Sequence, residues 1–158
     1  MLPRTYDDQV CSVARTLERI GDRWTMLIIR DAFLGVRRFD DFQRGLGVAR
    51  NVLTDRLGRL VDEGILEKRA YQERPERFEY RLTEKGVDLW PVLISLMKWG
   101  DRYFPAEDGQ PTLILHRDCG GEVDERFRCQ RCGADVDARS AEAMPGPGSR
   151  RQWPTPVL

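Results

Sequence analysis

The chain is short of the parts that most catalytic and membrane chemistry requires. His116 is the only histidine in 158 residues. If a metal takes it, no imidazole is left to activate Cys11 or any serine as a nucleophile. Paired carboxylates such as Asp40–Asp41 sit in polar surroundings, and no glycine-rich stretch matches a phosphate-loop template. An enzyme is not expected. No run of roughly 18 apolar residues is present, so no membrane span is expected. The opening MLPRTYDDQV has no apolar signal core, which makes a cytoplasmic protein the expectation. Net charge is also lacking: 26 basic residues balance 26 acidic ones. Any nucleic-acid surface must therefore be local, and residues 37–59 hold six arginines against three aspartates.

Hydrophobic spacing organises what is present. Between Gly47 and Gly64, Leu53, Leu57, Leu60 and Val61 recur at helical intervals and form one apolar stripe. Arg50, Asn51, Thr54 and Asp55 fall on other faces, flanked by Arg56 and Arg59. Gly64 ends the helix. Val10, Val13, Ala14, Leu17 and Ile20 predict an earlier helix starting near Asp8, close to Cys11. Asp22 is the expected N-cap of a second helix, Arg23 to Phe33, with Trp24, Leu27, Ile28 and Leu34 as its core residues. Phe39, Phe42 and Leu46 mark a short third helix before the Gly47 turn, which gives a helix-turn-helix order. From Ile65 to Tyr71 and from Phe78 to Leu82 the period changes to that of strands, around the polar tip QERPER. Thr83 would cap one long helix, Glu84 to Tyr103, bent at Pro91. Its apolar face, widened by Trp90 and Met97, exceeds what a small core needs and points to a second subunit.

The expected division is a winged domain over 1–104, a linker over 105–111 and a small module over 112–139. The Pro/Gly-rich stretch 140–158 reads as an extended tail. The fold class is mainly α with a small β-hairpin, followed by a β-rich zinc-ribbon-like module. In that module HRDCGGEVDERFRCQRCG sets His116 two residues from Cys119 and Cys129 two from Cys132, each second cysteine followed by glycine. This is ligand spacing for a structural Zn2+ ion, closed by three thiolates and one imidazole. Strands over 112–115, 123–128 and 134–137 would frame it. The alternative is a metal-free site whose thiols pack as small hydrophobes.

These features resemble the HxlR-type family of bacterial winged helix transcription regulators. The resemblance runs from Cys11 to Tyr103 and is carried by IGDRWTMLIIRD, RRFDDFQRGL, ARNVLTDRLGRLVDEGILEKR, FEYRLTEKG and Trp99–Gly100. It implies a homodimer joined through the first and last helices of the winged domain, with the Gly47–Gly64 helix in the major groove of double-stranded DNA. It also implies that the Gln72–Arg77 wing touches phosphate or the minor groove. That wing usually carries two prolines, and here only Pro75 remains. Some members sense electrophiles, quinones or oxidants at the position Cys11 matches, so Cys11 is a candidate redox sensor and a small-molecule or oxidant inducer is possible. The zinc-ribbon-like extension occurs in a subset of members. On side-chain chemistry, Arg50, Asn51 and Thr54 suit base edges. Arg56 and Arg59 on the same helix, with Arg37, Arg38, Arg74 and Arg77, suit phosphates. The leading expectation is a dimeric regulator, a repressor, on a palindromic operator. The competing classes are a winged helix protein–protein adaptor and a zinc-thiolate redox sensor.

Overall fold

The Leu53–Leu57–Leu60 stripe is the inner wall of the N-terminal half. In a computed structural model, which describes residues 10–150, these three leucines are at most 1% exposed. They lie on α4, Arg50–Asp62. Phe42 from α3 (Phe39–Leu46) and Ile28, Ile29 and Ala32 from α2 (Thr25–Phe33) pack in the same core, each fully buried. In α2 the inward face is thus Ile28, Ile29 and Ala32, while the expected Trp24, Leu27 and Leu34 are only half-buried. Gly64 follows α4 with φ +67°, the left-handed value that lets a glycine stop a helix without a Cβ clash.

The described first helix, α1, spans Ser12–Ile20; the expected start near Asp8 lies outside the described residues. Cys11 is its N-cap, and its Sγ accepts the Ala14 amide N–H at 3.4 Å. Asp22 acts at the start of α2 as expected, although α2 itself begins at Thr25. Its Oδ1 accepts from the amides of Trp24 at 3.1 Å and Thr25 at 3.2 Å, and its Oδ2 from the Thr25 hydroxyl.

After α4, β1 (Leu66–Glu73) and β2 (Glu76–Leu82) pair antiparallel from Leu66↔Leu82 to Glu73↔Glu76. The strands run through most of the expected loop, so the turn is only Arg74–Pro75, joined by a cis peptide. Arg38 bridges to Glu79, which lays the start of α3 along β2. Helix, turn, helix and hairpin in this order are a winged helix-turn-helix.

The expected long helix is two. α5, Glu84–Val87, is a single turn, and α6 spans Trp90–Tyr103 with Pro91 in its first turn. There proline removes no intrahelical hydrogen bond and its fixed φ favours the helix, so it starts α6 instead of bending a longer one. The backbone also divides at this point, into a unit ending at Gly86 and a unit beginning at Val87. α6 falls in the second of these units. Trp90, 5% exposed, packs against Phe127 with ring centroids 5.7 Å apart.

In this second unit β3 (Thr112–His116) pairs antiparallel with β4 (Ala141–Pro145), from Thr112↔Pro145 to His116↔Ala141. The expected strands over 123–128 and 134–137 are only isolated bridges, Leu115↔Glu122, Val123↔Cys129 and Arg128↔Asp135. The start of the expected tail is instead a strand, and it continues into a clasp. The Gly146 amide donates to Pro111 O at 3.0 Å and the Gly148 amide to Gln110 O at 3.2 Å. Composition misleads here because glycine, which weakens isolated structure, also permits the close backbone approach that this pairing uses. The remainder of the expected tail, 151–158, lies outside the described residues.

Candidate functional site

The outward side of α4 carries the polar residues at its N-terminal end. Arg50, Asn51, Thr54 and Asp55 are exposed, as is Arg59 in the last turn. Arg50 lies over the Phe39 ring at 4.7 Å and sits 3.9 Å from Asp40, so its guanidinium is braced by the preceding helix. The Thr54 hydroxyl donates to Arg50 O at 2.8 Å, leaving its acceptor lone pairs outward.

Two arginines expected at phosphates do other work. Arg56 Nε donates to Asp22 Oδ1 at 2.8 Å, and a second nitrogen pairs with Asp55. With both side chains of the Arg56–Asp22 pair about one quarter exposed, this bond ties the start of α2 to the middle of α4. It orients the helix within the fold. Burial would raise the Asp22 pKa, but the Thr25 hydroxyl, the Trp24 amide and Arg56 together hold the carboxyl below its usual range. Arg37 is half-buried and donates to Ala32 O at 2.6 Å and Val36 O at 3.2 Å. Its burial, with the nearby positive charge of Arg81, lowers its pKa from the usual guanidinium value. It closes the C-terminal end of α2.

Arg38 remains exposed, stacked over Tyr71 of β1 at 4.8 Å. Arg74 and Arg77 are exposed at the hairpin tip, and Gln72 Nε2 donates to Arg74 O at 3.1 Å. The Asp22–Arg56 clamp, spanning 34 residues, escaped the sequence reading. The Asp at an N-cap was visible, but nothing local marks which arginine it will meet.

In the second unit the four expected ligands come together. His116 Nδ1 and the Sγ atoms of Cys119, Cys129 and Cys132 all lie within 4.8 Å of one another, a set that could hold a metal ion. Nδ1 is 3.5 Å from Cys119 Sγ and 3.3 Å from Cys132 Sγ, and the Cys119 and Cys129 sulfurs are 3.4 Å apart. Gly120 and Gly133, one after each ligand pair, have φ of +69° and +73° and make the tight turns that aim both ligands inward. The Cys132 and Arg131 amides hold the Cys129 thiol down to about 6, against the opposing effect of burial. His116 Nε2 is left pointing at Asp118, 3.6 Å from its carboxylate.

Cys11, by contrast, is exposed on α1 and stands apart from this cluster in the sequence and in its structural unit. Val13 and Leu17 of α1 are 66% and 47% exposed. On α6 a second apolar stripe, Val92, Leu96, Trp99 and Tyr103, is likewise open. No helix among the described residues is long and apolar enough to cross a membrane.

A helix-turn-helix with a paired hairpin and an exposed Arg/Asn/Thr face defines a transcriptional regulator of the winged helix class. Residues 19–108 match the HxlR-like helix-turn-helix family, and the chain belongs to it. An uncharacterized HTH-type transcriptional regulator of Mycobacterium tuberculosis is 47% identical over 137 residues, 87% of this chain and 87% of that protein. PA1607, solved as a candidate transcription factor, shares 40% identity at a TM-score of 0.68, covering 85% of this chain and 94% of its own. The oxidized form of the redox regulator HypR shares 32% identity at a TM-score of 0.55. It covers 58% of this chain and 96% of its own length. The protein is therefore an HxlR-type helix-turn-helix transcriptional regulator, of a family of regulators rather than enzymes. Little more than half of it accounts for nearly all of HypR.

Proposed function

We propose that the protein acts as a homodimeric repressor on a palindromic operator, each subunit laying α4 in a major groove. The observation that carries this reading is the braced, exposed N-terminal end of α4. There Arg50, Asn51 and Thr54 face outward while the leucine stripe behind them is buried. Arg50 suits guanine and Asn51 suits adenine, with Thr54 beside them. The α4 N-cap, Ala49, offers no side-chain acceptor, so the first-turn amides are open to phosphate. Arg38, Arg59, Arg74 and Arg77 supply phosphate contacts that position the dimer. The exposed apolar stripes of α1 and α6 are the dimer surfaces, since faces of that kind mark subunit contacts. Half-sites would then lie about one turn, ~10 base pairs, or a multiple apart. A protein-binding winged helix would expose apolar residues on α4, and this one exposes Arg, Asn and Thr.

The metal held by His116, Cys119, Cys129 and Cys132 is Zn2+ in this reading, closed and structural. Bonds of about 2.3 Å to sulfur and about 2.0 Å to nitrogen give tetrahedral edges of roughly 3.5–3.8 Å. The separations of 3.3, 3.4 and 3.5 Å lie within a few tenths of an ångström of that. The ion would supply cross-linking, with no position open for catalysis. The inducing signal is an oxidant or electrophile at Cys11. Its exposure at the α1 N-cap and the likeness to HypR, a redox regulator, support this.

Binding titrations on cognate and scrambled duplexes test the DNA assignment. Asn51→Ala is expected to relax preference at one base position. Arg74→Ala is expected to weaken all duplexes alike and to reduce the slope of log K against log salt by about 1. Wild-type behaviour from both variants would sink it. Peroxide should weaken operator binding by wild type and leave Cys11→Ser unaffected.

A further inference from the structure

Several arginines around the helix-turn-helix are tied to carboxylates. Arg44 pairs with Asp41 at 3.2 Å, Arg50 lies 3.9 Å from Asp40, and Arg81 pairs with Glu79 at 2.8 Å. Arg38 is placed differently. Its backbone is the extended N-cap of α3 and forms a bridge with Glu79 on one side of β2. Glu79 pairs on the other side with Arg69 of β1. The Arg38 side chain therefore crosses β2 and ends over Tyr71 of β1, its guanidinium carbon 4.8 Å from the ring centroid. Tyr71 is available there because the hairpin is irregular. Ala70 pairs with Phe78 and Gln72 with Arg77, so Tyr71 is one residue too many on β1. A bulge of this kind bends its strand and re-aims the side chain it carries. The ring is 38% exposed, so the hairpin does not hold it as core.

A carboxylate takes up the N–H donors of an arginine. A ring takes a face of the planar guanidinium and none of its five donors. A guanidinium held this way has lost rotamer freedom before it meets an anion, while its donors stay available. In helix-turn-helix proteins the first helix of the pair crosses the DNA backbone, and Arg38 caps that helix. We propose that Tyr71 is the positioning residue for Arg38, holding its guanidinium ready for a backbone phosphate. The assignment rests on the DNA-binding reading above and deepens it. The contact adds affinity for duplex DNA of any sequence and leaves discrimination to α4. The hairpin then serves DNA binding through a residue set back from its tip, and not only through Arg74 and Arg77.

The test is anisotropy titration of the full chain on a mixed-sequence duplex of ~30 base pairs, long enough for two half-sites, across a range of salt. Arg38→Ala is expected to weaken binding and to reduce the slope of log K against log salt by about 1 per subunit. Tyr71→Leu is expected to weaken binding roughly 2- to 5-fold per half-site, the range of an exposed cation–ring contact, with the slope unchanged. Tyr71→Phe should bind like wild type, because the ring and not the hydroxyl holds the arginine. In the Arg38→Ala background, Tyr71→Leu should weaken binding no further. A Tyr71→Leu loss that is the same with and without Arg38 would overturn the assignment. So would Tyr71→Phe binding as weakly as Tyr71→Leu, or Tyr71→Leu binding like wild type. If Tyr71→Leu does not fold, Tyr71→Thr, a residue at home in strands, takes its place under the same criteria. A wild-type chain without salt-dependent binding would overturn the DNA-binding reading and this assignment together. Wild-type binding with additive variants overturns this assignment alone.

Discussion

The two units are held together by different means. The N-terminal one buries Ile28, Ile29, Phe42, Leu53, Leu57, Leu60 and Leu66 almost completely, drawn from three helices and a strand. The module after α6 has a thinner apolar interior, Ile114, Val123, Val136 and Ala141, beside the buried Cys129 and His116. Small domains whose apolar burial is limited rely on disulfides or metals for stability. The contrast teaches that one half of this chain has a well-filled apolar core, while the other gathers four side chains that could hold a metal ion around a thinner one. The Trp90–Phe127 contact belongs to the unit that carries this cluster. Phe127 holds φ +59°, a left-handed value unfavourable for a bulky residue, in the turn fixed by Asp124.

The contrast can be broken in order of force. Stripping the metal with a chelator is expected to have the largest effect, because structural zinc contributes about 10–16 kcal/mol in small zinc-dependent folds. Native Trp90 fluorescence should be lost while most of the helical circular dichroism remains, and added zinc should restore the signal. A metal-stripped chain with unchanged fluorescence would show that the module stands on packing after all. Next is Leu57→Ala, expected to cost about 2–5 kcal/mol in denaturant unfolding, with metal affinity unchanged. Coupled loss of both would mean the units are one cooperative body.

The smallest of the three is Asp22→Ala, at about 1–2 kcal/mol, from loss of the α2 cap and the Arg56 pair. Its pH dependence is distinctive. The folded carboxyl titrates below the ordinary value of about 3.9, so the charged form stabilises the fold. That contribution is fully present above about pH 3.9 and is lost as pH falls through the depressed folded value. The variant should therefore lack this part of the acid unfolding limb. An acid limb identical to wild type would remove Asp22 from the account.

What could be read from the sequence follows the range of the interactions. The leucine stripe of α4, the Gly64 stop and the hairpin were legible because each rests on spacing within a few residues. The His116–Cys119 and Cys129–Cys132 pairs were legible for the same reason. The Arg56–Asp22 pair was not legible, because its partners lie 34 positions apart and leave no local mark. The hydrogen bonds of Arg37 to Ala32 O and Val36 O were hidden likewise, since they depend on the folded end of α2. Pro91 was seen, but its meaning depends on where α6 begins: Thr83 does cap a helix at Glu84, its hydroxyl accepting the Gly86 amide at 3.1 Å, but that helix ends at Val87. The strand Ala141–Pro145 was hidden by composition: its pairing with β3 depends on a partner some 30 residues earlier.

The clasp at Gly146 and Gly148 bears on how this protein can be handled. A Cβ at Gly146 would fall 2.0 Å from Gln110 O, and one at Gly148 would fall 2.1 Å from Gly109 O. Entry to and exit from the module therefore share one gate. A fluorophore or fusion partner attached just after Ser149 would emerge beside Gly109 and not at the far end of the molecule. A dye pair at these two sites would start in close proximity and separate when the gate opens, a signal that needs no knowledge of the operator.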